Sequence, residues 1–268
     1  MKRMKVLTLG LAPFTKLSRD ANFIVLAAGL SSLPFGYLMV IQSIYLKSIG
    51  IDEASIGLIF SISTLICSLL IIPFGILSDR YSKKWIMIFG QALTAVAWLI
   101  YAGFVDTGGF YASSFLLGIG NAGIFAPYQA LLAEKTTDED RTVAFSLSSF
   151  AYMAGSTAGA MASGVPEWLI RELGSDIVQA YRPLFLAAFF LSLLASLILI
   201  PLRESPLTRR ETQILPVKSR EEIRKLSTAT VLVGLGAGLI ISLIPLWFHL
   251  RFGVGGSELG PLFVISNG

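Results

Sequence analysis

Runs of about 20 apolar residues, broken by shorter polar stretches, occupy most of the chain. Each is long enough to cross a bilayer core of about 30 Å as a helix. The pattern predicts seven such segments: Asn22–Leu46, Ala54–Leu77, Trp85–Phe104, Gly109–Ala133, Thr142–Ala162, Pro183–Leu202 and Leu226–Leu250. An eighth begins near Ser257 and runs to Gly268. Most interruptions are brief. The stretch from Arg203 to Lys225 is longer, carries alternating charges beside Pro201, Pro206 and Pro216, and reads as a linker.

Composition fixes the solvent. Apolar residues make up 54% of the chain, charged residues 14%, and mean hydropathy is +0.73, which predicts an all-α membrane protein. The 17 acidic and 21 basic residues all fall in loops or at segment ends. A charge at the bilayer centre costs about 2.5 to 3.5 kcal/mol on insertion scales and marks an ion pathway, so proton coupling through a buried carboxylate has no support in these segments. No cofactor or metal is expected: the single cysteine, Cys67, lies inside the second segment, and His249 sits near the end of the seventh. A membrane-embedded enzyme is disfavoured, because no cluster of His, Asp, Glu or Cys occurs at membrane depth. A retinal protein would need a lysine in the seventh segment, and none stands between Leu226 and Leu250.

Charge also gives orientation. Seventeen of the 21 basic residues lie on one side of the predicted segments, leaving Lys47, Arg171, Arg182 and Arg251 for the other. By the positive-inside rule the amino terminus is cytoplasmic. The expected location is the plasma membrane, as a multi-pass protein. The net charge of +4 then suits anionic lipid as a partner and gives no reason to expect nucleic acid.

Between the second and third segments stand ten residues, Gly75, Ile76, Leu77, Ser78, Asp79, Arg80, Tyr81, Ser82, Lys83 and Lys84. They resemble the cytoplasmic signature of the major facilitator superfamily, Gly-x-x-x-Asp-(Arg/Lys)-x-Gly-(Arg/Lys)-(Arg/Lys), with Ser82 in place of the second glycine. Ala133 and Glu134 through Arg141 resemble that family's Ala-Glu-x6-Arg pattern. Arg203, Glu204, Ser205 and Pro206 are similar to its Glu-Ser-Pro motif. Ser114, ahead of Leu116, Leu117, Gly118 and Gly120, stands where the drug-exporter branch has an arginine; the fifth segment has Gly155, Gly159 and Gly164 but no Gly-Pro pair.

The resemblance implies secondary active transport of a small organic solute by alternating access, as a permease or efflux protein, with or without a coupling ion. It implies a conformational gate at Gly75, Asp79, Arg80, Lys83, Lys84, Glu134 and Arg141. Physically, Gly75 lets another helix approach closely. Asp79 suits a positive helix end or an arginine, and Arg80, Lys83 and Lys84 suit lipid phosphates or the carboxylates of Glu134, Asp138, Glu139 and Asp140.

An internal repeat accompanies the resemblance. Sliding the sequence by 203 positions aligns Ile41 with Ile244, Gly50 with Gly253, Gly57 with Gly260, Phe60 with Phe263, Ile62 with Ile265 and Ser63 with Ser266. Two parallel six-helix repeats are the duplication expected of such transporters. The expected domains are residues 1–202, an amino-terminal six-helix bundle, residues 203–225, a cytoplasmic linker, and residues 226–268, the incomplete start of a second bundle. The missing second half is then an expected partner. A non-transporting truncated protein or an associating half-transporter subunit is the alternative.

The family's architecture implies that the first and fourth segments of a half line the central cavity, with parts of the second and fifth, while the third and sixth lie outside. At about 100° per residue, Ser31, Phe35, Gln42 and Tyr45 share a stripe about 80° wide on the first segment. Ser114, Asn121, Phe125 and Tyr128 share one on the fourth, and Ser149, Tyr152 and Ser156 on the fifth. The expected substrate cavity is Phe35, Gln42, Tyr45, Asn121, Phe125, Tyr128 and Tyr152. Helix-packing contacts are the alternative for all of these polar residues, more so for the serines than for the larger Gln42, Asn121 and Tyr128. Aromatic faces and neutral hydrogen-bonding groups suit an uncharged or weakly polar solute.

Overall fold

The computed structural model describes residues 17–203 and 243–267, and among them every regular element is helical. In chain order these are α1 (Arg19–Ser48), α2 (Glu53–Arg80), α3 (Lys83–Gly103), α4 (Thr107–Glu134), α5 (Asp138–Ala160), a 3-10 turn (Met161–Gly164), α6 (Val165–Leu173), α7 (Ile177–Leu199), α8 (Ile244–Phe252) and α9 (Gly256–Asn267). Helices α1, α2, α3, α4 and α7 are long and apolar enough to cross a membrane. Helix α5 has comparable length, 23 residues, but opens with Asp138, Glu139 and Asp140. The linker after Arg203 and most of the seventh predicted segment lie outside the described residues.

The helices start where short polar side chains can satisfy the first free backbone N–H groups. Ser18, Asp52, Ser82, Asp106, Thr137 and Asp176 cap α1, α2, α3, α4, α5 and α7 respectively. The N–H of Ser55 donates to Asp52 at 2.9 Å and holds that carboxyl below the usual carboxylate range. Helix α7 begins at Ile177, six residues before Pro183, which the sequence placed at its start; the Asp176 cap fixes the earlier start and Pro183 is carried inside the helix. Helix α6, only nine residues long, was not predicted.

Gly50 and Gly253, aligned by the repeat, both adopt a left-handed backbone, with φ of +93° and +68°. Each follows a helix and turns the chain into the next. This conformation is open to glycine and costly for most residues.

The six long helices form an open arc in the order α5, α1, α7, α3, α4, α2, each packed on its neighbours. Glycines set the closest approaches. A Cβ on Gly36 or Gly159 would collide with the carbonyl oxygen of Ser156 or Leu33, so α1 and α5 touch backbone to backbone. A Cβ on Gly90 would lie 2.7 Å from the Gly120 carbonyl oxygen, and one on Gly120 2.8 Å from that of Gly90, so α3 and α4 are joined in the same way. Helix α2 forms one free edge of the arc, exposing Leu58, Leu65, Leu69 and Ile72. Helix α9 rests against the 3-10 turn and the end of α5, where Ser163 Oγ donates to the carbonyl of Gly256 at 2.7 Å and Ser257 N–H donates to Glu167 Oε2 at 3.2 Å.

Candidate functional site

The concave side of the arc holds a cavity of about 610 Å³ between α1 and α4. Helix α1 gives it Ser31, Pro34, Phe35, Leu38 and Gln42, and α4 gives Ser114, Leu117, Asn121, Phe125 and Tyr128. Helix α5 adds Ser148, Ser149 and Tyr152, with ring centroids of Phe35 and Tyr152 5.8 Å apart across the α1–α5 seam. Among the described residues of the lining, tyrosine is the sole titratable type, and none is Asp, Glu, Lys, Arg or His.

Six of the seven expected cavity residues, Phe35, Gln42, Asn121, Phe125, Tyr128 and Tyr152, lie on this surface; Tyr45 does not. It is 1% exposed and stands beyond the cavity, its ring centroid 5.0 Å from that of Phe185, 5.1 Å from Tyr181 and 6.2 Å from Phe110. These rings, with Tyr101, fill the end of the bundle away from the signature, and Gln42 Nε2 donates to Tyr101 at 2.7 Å at their border. Ser156 is buried but outside the lining. Tyr37 turns the other way and donates from its hydroxyl to the carbonyl of Leu184 on α7 at 2.8 Å.

The third and sixth predicted segments, expected to lie outside, supply the cavity floor. Met87, Gln91, Thr94 and Trp98 of α3 reach it, as does Ser192 of α7. The reason lies in the arc: α1 and α4 stand apart, so the helices behind them are exposed to the space between. Two polar residues at a spacing of three, Gln91 and Thr94, were the available signal in an otherwise apolar segment.

At the signature end the geometry is electrostatic. Gly75, Asp79 and Arg80 belong to the last turns of α2, and only Tyr81 and Ser82 separate it from α3. Lys83 Nζ stands 3.5 Å from Asp79 and 3.5 Å from Glu134, linking α2, α3 and α4. Lys84 Nζ instead donates to the carbonyl of Leu202 at 3.0 Å and lies 5.0 Å over the Trp85 ring. Arg141 pairs with Asp138 at 2.9 Å, within α5, and does not join Glu134. Arg80 is exposed, and nothing described lies within 4 Å of where a Gly75 side chain would begin. Sequence reasoning missed a neighbouring tie in which Lys135 stands 3.7 Å from Asp20, whose carboxylate also accepts from the N–H of Arg203 at 3.3 Å. Among the described residues no group of three or more His, Cys, Asp or Glu is placed to hold a metal ion.

Against known proteins, the sequence model of the Major Facilitator Superfamily matches residues 24–268. An uncharacterized MFS-type transporter of Methanocaldococcus jannaschii is 33% identical over 125 residues, 45% of this chain and 32% of that protein. Protein spinster of Drosophila melanogaster is 32% identical over 112 residues, 41% of this chain and 18% of that one. Among solved structures, the nucleoside transporter NupG superposes with a TM-score of 0.64 at 14% identity, covering 93% of this chain and 64% of its own. A D-xylose–proton symporter gives 0.60 at 16%, covering 91% and 65%. The chain therefore spans less than two thirds of the length of each of these relatives, and the two structures show the shared fold.

Proposed function

The chain belongs to the Major Facilitator Superfamily, and from that premise we propose that it forms the amino-terminal half, and the beginning of the second, of a secondary transporter that moves a small organic solute by alternating access. In this reading residues 1–202 are the first bundle, 203–225 a cytoplasmic linker and 226–268 the start of the second bundle. The amino terminus and the signature face the cytoplasm of a plasma-membrane protein. The remainder of the second bundle is its partner, with or without a coupling ion.

The observation that carries the reading is the cavity itself: about 610 Å³, between α1 and α4, lined by rings and neutral amides and hydroxyls. A charged solute would meet no counter-charge from this half, whereas an uncharged or weakly polar one would meet ring faces and hydrogen-bonding groups matched to it. At the end away from the signature lie the aromatic cluster and the α5–α9 contact. That arrangement suits a state open towards the signature side. The gate residues fit the same reading, because Lys83 ties together the ends of three helices that must keep their relative positions while the two bundles rock.

Cysteine accessibility tests this. In the full-length protein with every native cysteine, Cys67 included, replaced, cysteines at Gln42, Asn121 and Tyr128 are expected to react with small water-soluble thiol reagents and to be protected by substrate. One at the lipid-facing Phe190, which is 61% exposed on α7, should stay unreactive towards the same reagents. Inert positions in the cavity would sink the reading.

A further inference from the structure

Met87, Gln91, Thr94 and Trp98 fall within about 60° of one another on α3 at 100° per residue, and all four face the cavity. Gln91 is 3% exposed, and the orientation of its amide follows from counting protons. Ser31 Oγ lies 2.8 Å from the carbonyl oxygen of Ala27, one turn back on α1. A hydroxyl has one proton, and that contact uses it. With the Ser31 proton so engaged, the Gln91 atom 2.8 Å from the same Oγ is the donor, Nε2. Turned over, the amide oxygen would be met only if the Ser31 proton left the Ala27 carbonyl for it. Gln91 Oε1 therefore faces away from Ser31, and among the described residues no donor lies within hydrogen-bond distance of it. Unlike Thr94 Oγ1, which is buried without a partner, Gln91 Oε1 is not sealed off, and on the cavity lining it is left able to accept from a bound solute.

We propose that Gln91 is a specificity-determining residue: it presents its side-chain carbonyl to an uncharged solute that carries an N–H or O–H donor beside an apolar ring. The proposal rests on the cavity being the solute site and assigns the class of solute more narrowly. Trp98 from the same helix and Phe35 from α1 supply ring faces to the same cavity, and among its described lining residues no charged side chain competes for the donor. The Ser31 hydroxyl fixes the amide, so Ser31 acts as a positioning residue.

The test uses the full-length protein with Cys67→Ala and a single reporter cysteine, Asn121→Cys, modified by the small neutral reagent methyl methanethiosulfonate. Two matched pairs serve as probes, indole with 1-methylindole and benzamide with N,N-dimethylbenzamide. The members of each pair differ chiefly in the N–H donor. With Gln91 present, the donor-bearing member should protect the reporter at about five- to tenfold lower concentration than its methylated partner. In Gln91→Met, which keeps the length and loses the acceptor, that preference should disappear while both members still protect. In Ser31→Ala, where the amide is free to turn, the preference should shrink although Gln91 remains, a change that a purely structural role for Gln91 would not produce. Equal protection within each pair in the presence of Gln91, or an undiminished preference in Gln91→Met, overturns the proposal and leaves the cavity reading standing. A reactive reporter that none of the four compounds protects overturns the proposal as well. An inert reporter removes the cavity reading and the proposal together.

Discussion

Ser82 occupies the position of the signature's second glycine, and its geometry shows why glycine is dispensable there. Its φ of −166° is extended backbone open to any residue, and its hydroxyl accepts the N–H of Trp85 at 3.0 Å, capping α3. Ser82→Ala should therefore lower stability by about 1 kcal/mol, and Ser82→Gly by only a few tenths, in thermal unfolding of the purified protein; a glycine that stabilises would mean the backbone wants it after all. One residue on, Lys83 is shared by Asp79 and Glu134, each at 3.5 Å and each partly exposed. Exposed pairs of this kind are worth about 0 to 1 kcal/mol, so Asp79→Asn should barely change the melting temperature. If the pair holds the ends of helices through the transport cycle, the same substitution should slow transport with little change in equilibrium substrate binding. Loss of binding with an unchanged exchange rate would point to a ligand role instead. The ion pair of Lys83 with Asp79 spans four residues of one continuous stretch and was within reach of the sequence. The choice of Glu134 over Asp138, Glu139 and Asp140 was not, because it depends on how α4 ends beside α3.

At the level of helices, what was legible was direction and what was not was height. A helical wheel placed Tyr45 on the same face as Gln42, and it is; but Tyr45 lies one turn further along α1, where Tyr181 and Phe185 of α7 close over it. Met87, Gln91, Thr94 and Trp98 also share one face of α3 at 100° per residue, but that segment was expected to lie outside. Whether that face met lipid, protein or open space was decided by the gap between α1 and α4, which no single segment encodes. The short α6 escaped because nine residues with Glu167, Arg171 and Glu172 among them resemble any polar connection. Glycines carry a related lesson. Gly159 lies against the Leu33 carbonyl, whereas Gly57 has nothing described within 4 Å. Gly57 corresponds in the repeat to Gly260, which packs tightly on Ser163 and Ala160. Gly159→Leu should therefore destabilise this bundle by about 1 to 3 kcal/mol through overpacking, while Gly57→Leu should leave its unfolding unchanged and reduce transport by obstructing a helix of the second bundle. Equal losses of stability would mean that α2 is packed on its free side already.

For the molecule as a whole, the division of basic residues predicts a testable placement in the membrane. A cysteine at Ser82 should react only with reagents that reach the cytoplasm, and one at Thr107 only with impermeant reagents applied outside; the reverse pattern would invert the molecule. The order of the arc has a mechanical meaning too. Backbone contact welds α1 to α5, and α3 to α4, so the walls of the cavity are two stiff plates. Helix α7 packs on both α1 and α3 along their shared border and acts as the spine of an open book. The hydrogen bonds from Gln42 to Tyr101 and from Gln91 to Ser31 cross from one plate to the other like stays. A book held at its spine admits objects by thickness more readily than by outline. Flat solutes of different ring shape should then compete for one another's place, and discrimination among them would fall on the few atoms at the fold of the page.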